Sequence, residues 1–141
     1  MKRALTIIPA LLLGMFPAVA EAAVVSLENA TISDVRDAYD AGALTSTKLT
    51  SLYLNRIDTY DRSGPNINSI AVLNPNALSE AARLDELWAQ GDILGPLHGI
   101  PVLVKDSYNA AGFTTSNGVD VLKSLTAQTD AFSVAKLKEA G

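Results

Sequence analysis

The sequence predicts an α/β fold that opens with a helical hairpin and continues as strand, helix, strand, loop, helix. Three observations carry that prediction. Apolar residues recur at helical spacing in four segments, several with capping residues ahead of them. Two short segments, Ser69–Leu73 and Val102–Val104, have the aliphatic composition of buried strands. Strand and helix then alternate, and in α/β folds a strand followed by a helix returns to a parallel strand. The last helix runs out at Gly141 with no return strand after it, so the expected unit is incomplete.

The first residues read as a leader rather than as fold. Lys2 and Arg3 form a basic start, Ala4 to Val19 is apolar, and small residues follow at A-x-A spacing as Ala18-Val19-Ala20 or Ala20-Glu21-Ala22. That pattern is a secretory signal peptide. A spanning helix needs roughly 20 apolar residues, and here Pro9, Gly14 and Pro17 interrupt a shorter stretch. The division expected is a signal peptide over 1–22 and one domain at most over 23–141, which places the mature protein in the periplasm or outside the cell.

The mature elements follow in order. Thr31 with Asp34 three residues on has the form of an N-cap with an acidic partner, and Ile32, Val35 and Tyr39 follow at helical spacing. The first helix is therefore expected over about Ile32 to Ala41, with Gly42 ending it. A second starts after Thr45-Ser46, shows Leu49, Leu52, Tyr53, Ile57 and Tyr60 on one face, and ends at Ser63-Gly64-Pro65. After the strand segment Ser69–Leu73, Asn74-Pro75 reads as N-cap plus first-turn proline. The third helix then runs to about Gln90, with Ala77, Ala81, Leu84 and Trp88 on one side and Gly91 at its end. Gly95 to Pro101 is a stiff loop and Asn109 to Asn117 an ordered polar one. Asp120–Ser124 adds a helical turn, and a last helix starts near Thr129 and Asp130 with Ala131, Val134, Ala135 and Leu137 inward.

Composition excludes several chemistries. There is no cysteine, which removes disulfide scaffolds and Cys-type zinc sites. His98 is the lone histidine, so neither a His-based triad nor a His-rich metal site can be built from this chain alone. The net charge of −4 becomes more negative once Lys2 and Arg3 are removed, and no basic cluster marks a nucleic-acid footprint. No nucleic-acid partner and no stable membrane association after the leader is cleaved are expected.

The most specific segment is Gly95-Pro96-Leu97-His98-Gly99-Ile100-Pro101-Val102-Leu103-Val104-Lys105-Asp106. It is a turn-rich lead into a short apolar strand that ends in a lysine. An unperturbed lysine has a pKa near 10.4, so about one in 2,500 is neutral at pH 7. A lysine base needs burial or a cationic neighbour to bring its pKa to about 7–8. Asp106 is an obvious ion-pair partner that would oppose this. Successive strand side chains point to opposite faces, however, so a strand that persists through Asp106 would part the two. Residue chemistry alone leaves two readings of Lys105 open, a solvated lysine past a strand or a base. His98 is either a loop residue with a satisfied hydrogen bond or an acid–base group, and Thr114, Thr115 and Ser116 fit turn and cap chemistry.

From about Thr31 to Gly141 the chain resembles the amidase signature family. The resemblance rests on the helix pair, the G-P-L-H-G-I-P-V-L-V-K-D run, the Gly- and Thr-containing loop, and the final D-A-F-S-V-A-K-L-K-E-A-G. It implies the N-terminal part of that fold, with strands of a mixed sheet under covering helices. It implies hydrolysis of a small-molecule amide substrate, with no cofactor, through a Ser–cis-Ser–Lys triad in which Lys105 is the base, and Asp106 matches the acidic residue that commonly follows it. The family's serines lie in Gly-Ser-Ser-Gly-Gly-type and Asp-x-Gly-Gly-Ser-type segments, and neither occurs here. The expectation is a chain truncated before both serines, inactive alone, from an active exported parent. Ser107 stands where the family usually has Asn, and Thr115-Ser116-Asn117-Gly118 where it often has Thr-x-Gly-Ser. The competing expectations are a non-catalytic product, whether interaction module or pseudogene product, and an amidotransferase A-type subunit, against which the leader argues.

Overall fold

The computed structural model describes residues 26–141; the leader expected over 1–22 lies outside the described residues. The helices are α1 (Ile32–Asp40), α2 (Ser46–Ile57), α3 (Ala77–Gln90) and α4 (Phe132–Glu139). A wide π-helical turn, Asp58–Arg62, prolongs α2, and a single 3-10 turn covers Asp120–Leu122.

The helical hairpin forms where the caps place it. Thr31 Oγ1 accepts the Asp34 N–H at 3.2 Å while the Asp34 carboxylate accepts the Thr31 N–H at 2.8 Å, a reciprocal capping box. Thr45 Oγ1 takes the Lys48 N–H at 3.1 Å. The two N–H groups before it, Ser46 and Thr47, go to the Asp85 carboxylate of α3 at 2.6 and 3.0 Å. The first turn of α2 is thus satisfied by one local side chain and one distant one, which answers its orphan donors. The core beside it gathers Val35, Ala38, Tyr39, Leu44 and Leu49, with Leu27, Ala30, Trp88 and Ile100 packed against it. The apolar face expected of α2 is only partly inward. Leu49 is 1% exposed, but Leu52, Tyr53 and Tyr60 are exposed; the residues of α2 that are buried are Ser46, Leu49 and Thr50.

α3 starts two residues later than expected. Asn74 Oδ1 accepts the Asn76 N–H at 2.9 Å, and the Asn74 amide reaches Glu80 at 3.0 Å. The asparagine therefore makes a turn ahead of the helix rather than capping it. Gly91 ends α3 at φ 82°, as a left-handed C-terminal residue. α4 likewise begins later, at Phe132, because the Asp130 carboxylate is committed elsewhere, to the Ala111 N–H at 2.7 Å and the Lys138 ammonium at 2.9 Å.

The expected strands of a mixed sheet are not formed among the described residues. Among the described residues no strand ladder forms, and the sole bridge between extended residues is Thr114 with Thr126. Ser69–Leu73 and Val102–Val104 have no regular secondary structure. Asp61 takes the Ser69 and Ile70 N–H groups at 2.6 and 3.3 Å, doing for that segment what a neighbouring strand would do. Val72, Leu73, Val102, Leu103 and Val104 are all exposed. Strand composition records an apolar surrounding, but a strand exists only when a second one supplies its hydrogen bonds. No helix among the described residues is long and apolar enough to cross a membrane.

Candidate active site

The site is built around the loop 95–101, which four helices hold. Gly99 lies so close to α2 that a Cβ there would sit 1.8 Å from Ser46 Oγ, and its φ is +70°. Both facts demand glycine. The Tyr39 hydroxyl of α1 donates to the Gly99 carbonyl at 3.0 Å. The end of α4 closes the other side: Leu97 N–H reaches the Ala140 carbonyl and Gly99 N–H the Gly141 carbonyl, each at 2.9 Å. A Cβ at Gly95 would stand 2.5 Å from that same Ala140 oxygen.

His98 is the peg of this loop. It is 1% exposed. Its Nδ1 accepts the Leu94 N–H at 3.1 Å, so the proton sits on Nε2, which donates to the Leu84 carbonyl of α3 at 2.9 Å. Trp88 packs against its ring at 5.5 Å and meets Tyr39 edge-on at 5.4 Å. Of the two readings of His98, the satisfied loop residue is the one observed.

From this clamp the chain runs out through Val102–Val104 to an exposed Lys105. The Lys105 carbonyl accepts the Tyr108 N–H at 2.9 Å, which turns the chain back. Among the described residues its ammonium has no hydrogen-bond or ion-pair partner; the ion pairs there join Arg62 with Asp61, Lys123 with Asp120, Lys136 with Glu139 and Lys138 with Asp130. Asp106 does not pair with it. Its Oδ1 takes the Ser116 N–H at 2.9 Å, and its Oδ2 takes the Ser116 hydroxyl at 2.5 Å and the Gly118 N–H at 3.3 Å. The Ser116 hydroxyl foremost, then the backbone N–H groups, hold this carboxyl below the ordinary aspartate range. Among the described residues no serine hydroxyl hydrogen-bonds the Lys105 ammonium, and no cluster of His, Asp or Glu could hold a metal ion.

Sequence reasoning missed the tying carboxylates. Hydrogen bonds from Ser69 hold the buried Asp61 below its ordinary value. Burial pushes Asp85 up, but hydrogen bonds from Thr47 and Ser46 outweigh it and leave it lowered. Nothing local marks these aspartates, because their partners lie up to 39 residues away.

Comparison with known proteins agrees with this architecture. Residues 48–141 match the family described as Amidase. The chain is 40% identical over 119 residues to a protein named as an amidase in Schizosaccharomyces pombe, covering 83% of this chain and 20% of that one. It is 31% identical to the A-type subunit of the glutamyl-tRNA(Gln) amidotransferase of Bdellovibrio bacteriovorus, covering 79% of this chain and 22% of that one. The native peptide amidase of Stenotrophomonas maltophilia superposes with a TM-score of 0.76 at 43% identity, over 80% of this chain and 23% of that one. The chain thus spans about a fifth of the length of the curated relatives it matches. With residues 48–141 matched, and with the loop and helices around them superposing on solved amidases, the chain belongs to the amidase signature family.

Proposed function

We propose that this chain is the base-bearing part of an exported serine amidase, with Lys105 as the triad lysine. The observation that carries the reading is the clamp at 95–101, which four helices use to launch a short apolar segment that ends in an exposed lysine with no counter-ion among the described residues. A lysine without a paired carboxylate can serve as a base once a covering structure desolvates it. In the complete enzyme a serine held beside Lys105 passes a proton to it and in turn activates a nucleophilic serine. The nucleophile attacks the amide carbonyl, the amine leaves, and water releases the acyl group. Both serines come from sequence outside these 141 residues, so this chain alone is inactive. Residues 1–22 export the protein to the periplasm or beyond, and residues 23–141 are the N-terminal part of the amidase domain.

The substrate class is a small amide, and the likeness to a peptide amidase makes a peptide amide the first to try. Ammonia release from an amidated dipeptide by the complete gene product tests the reading. Lys105→Ala and Lys105→Met are expected to lower kcat/KM by about 10²–10⁴-fold. Wild-type turnover in both variants would sink the assignment. A second reading, an amidotransferase A-type subunit, is favoured by the identity to the Bdellovibrio protein. It requires glutamine-dependent ammonia transfer with partner chains, and an exported product without that activity excludes it.

A further inference from the structure

We propose that Asp106 is a positioning residue for Lys105, held by the turn Ser116–Gly118 so that its carboxylate cannot pair with the neighbouring ammonium. This rests on the reading of Lys105 as the base. A carboxylate one residue from a lysine, left free, is within reach of it, and an ion pair favours the charged, non-basic form. Here both carboxylate oxygens are already engaged. Ser116 donates its N–H to Oδ1 at 2.9 Å and its hydroxyl to Oδ2 at 2.5 Å, and the Gly118 N–H reaches Oδ2 at 3.3 Å. The Asp106 carbonyl takes the intervening Asn117 N–H at 3.3 Å. Three successive N–H groups therefore converge on one residue.

The turn is shaped for that task. Asn117 and Gly118 have φ of 48° and 72°, consecutive left-handed residues that curl their N–H groups into one concavity. A Cβ at Gly118 would meet nothing within 4 Å, so conformation rather than space calls for glycine there. The other ionisable side chains between 107 and 125 leave the clamp undisturbed. Asp120 and Lys123 pair with each other at 3.0 Å, and Tyr108 makes no side-chain hydrogen bond among the described residues. The result is a fixed main chain one peptide unit from Lys105 and a negative charge directed at backbone donors.

The test reads Lys105 directly and needs no turnover. The full chain is treated with an amine-acylating reagent, and labelling of Lys105 is followed by mass spectrometry against exposed Lys48. Ser116→Ala removes the hydroxyl from Oδ2 and leaves only the two backbone N–H groups on the carboxylate. Oδ2, left with one long bond, can then turn to the ammonium, which is expected to slow Lys105 labelling by up to about threefold, the weight of an exposed ion pair. Ser116→Thr, which keeps the hydroxyl, is expected to label at the wild-type rate. Adding Asp106→Asn to Ser116→Ala is expected to restore it, a reversal that a merely structural role would not produce. Unchanged labelling in Ser116→Ala, or slowing that persists in the double variant, overturns the proposal. Should the variants unfold, amide exchange of the unmodified chain decides. Ser116, Asn117 and Gly118 must exchange at least about tenfold more slowly than unstructured chain, and unprotected exchange overturns the clamp. Loss of peptide-amide hydrolysis is measured separately in the complete gene product, so failure of the amidase reading and failure of this one are told apart.

Discussion

Gly99 concentrates the steric demands of the site in one residue. Its φ of +70° disfavours a side chain, and a Cβ would overlap Ser46 Oγ at 1.8 Å. Gly99→Ala is therefore expected to destabilise the protein by ~2 kcal/mol or more, read as a lower urea midpoint. Adding Ser46→Ala should recover only part of the loss, because the Ser46 Cβ would still stand 2.9 Å away and the backbone strain remains. At the same scale, the motif divides by chemistry. Gly95, His98 and Gly99 make the contacts that hold the loop, while the Lys105 ammonium has no hydrogen-bond or ion-pair partner among the described residues. A sequence displays both kinds of residue in one run and does not say which is which.

Between elements, the recurring device is an aspartate that reaches across to backbone N–H groups. Asp85 joins α3 to the first turn of α2, and Asp130 joins the loop at Ala111 to Lys138 of α4. Asp85→Asn leaves one acceptor oxygen where two N–H groups now bond, and is expected to cost about 1 kcal/mol, the usual weight of a helix cap. Urea unfolding of the variant measures it. Asp34, Asp61, Asp85, Asp106 and Asp130 all have folded-state values below the ordinary one. A lowered carboxyl contributes stability that is complete above the unfolded pKa of about 3.9 and disappears as pH falls through the folded value. Stability is thus expected to hold from neutral pH down to about 4 and to decline below it. A urea midpoint that rises on acidification past that point would contradict the assignment.

Across the whole molecule, the apolar surface is unevenly covered. The core around Val35, Tyr39 and Leu49 is closed, while Leu103, Val121 and Phe132 are 74%, 81% and 80% exposed. The chain expressed by itself is expected to bind the dye ANS and to unfold with a shallow urea slope. The complete gene product is expected to bind less dye per molecule and unfold more steeply. Equal dye binding by the two would show that the rest of the protein does not cover this face. Fold class at this scale was only half legible. Helical segments announce themselves, since their hydrogen bonds close within four residues. Val102–Val104 reads as a strand because its side chains suit one, yet strand pairing depends on residues elsewhere in the chain.

The sequence by itself determined the hairpin, the capping box at Thr31, the glycine end of α3, the lysine after the apolar run and the family that run resembles. These are set by neighbours three or four residues apart, or by a run of side chains read in order. Only the tertiary structure decided that His98 holds a loop, that Asp106 turns to Ser116, and that Asp85 caps α2. Those bonds close over 14, 10 and 39 residues. A carboxylate or an imidazole has the same composition wherever it points, and its partner is chosen by how the helices pack.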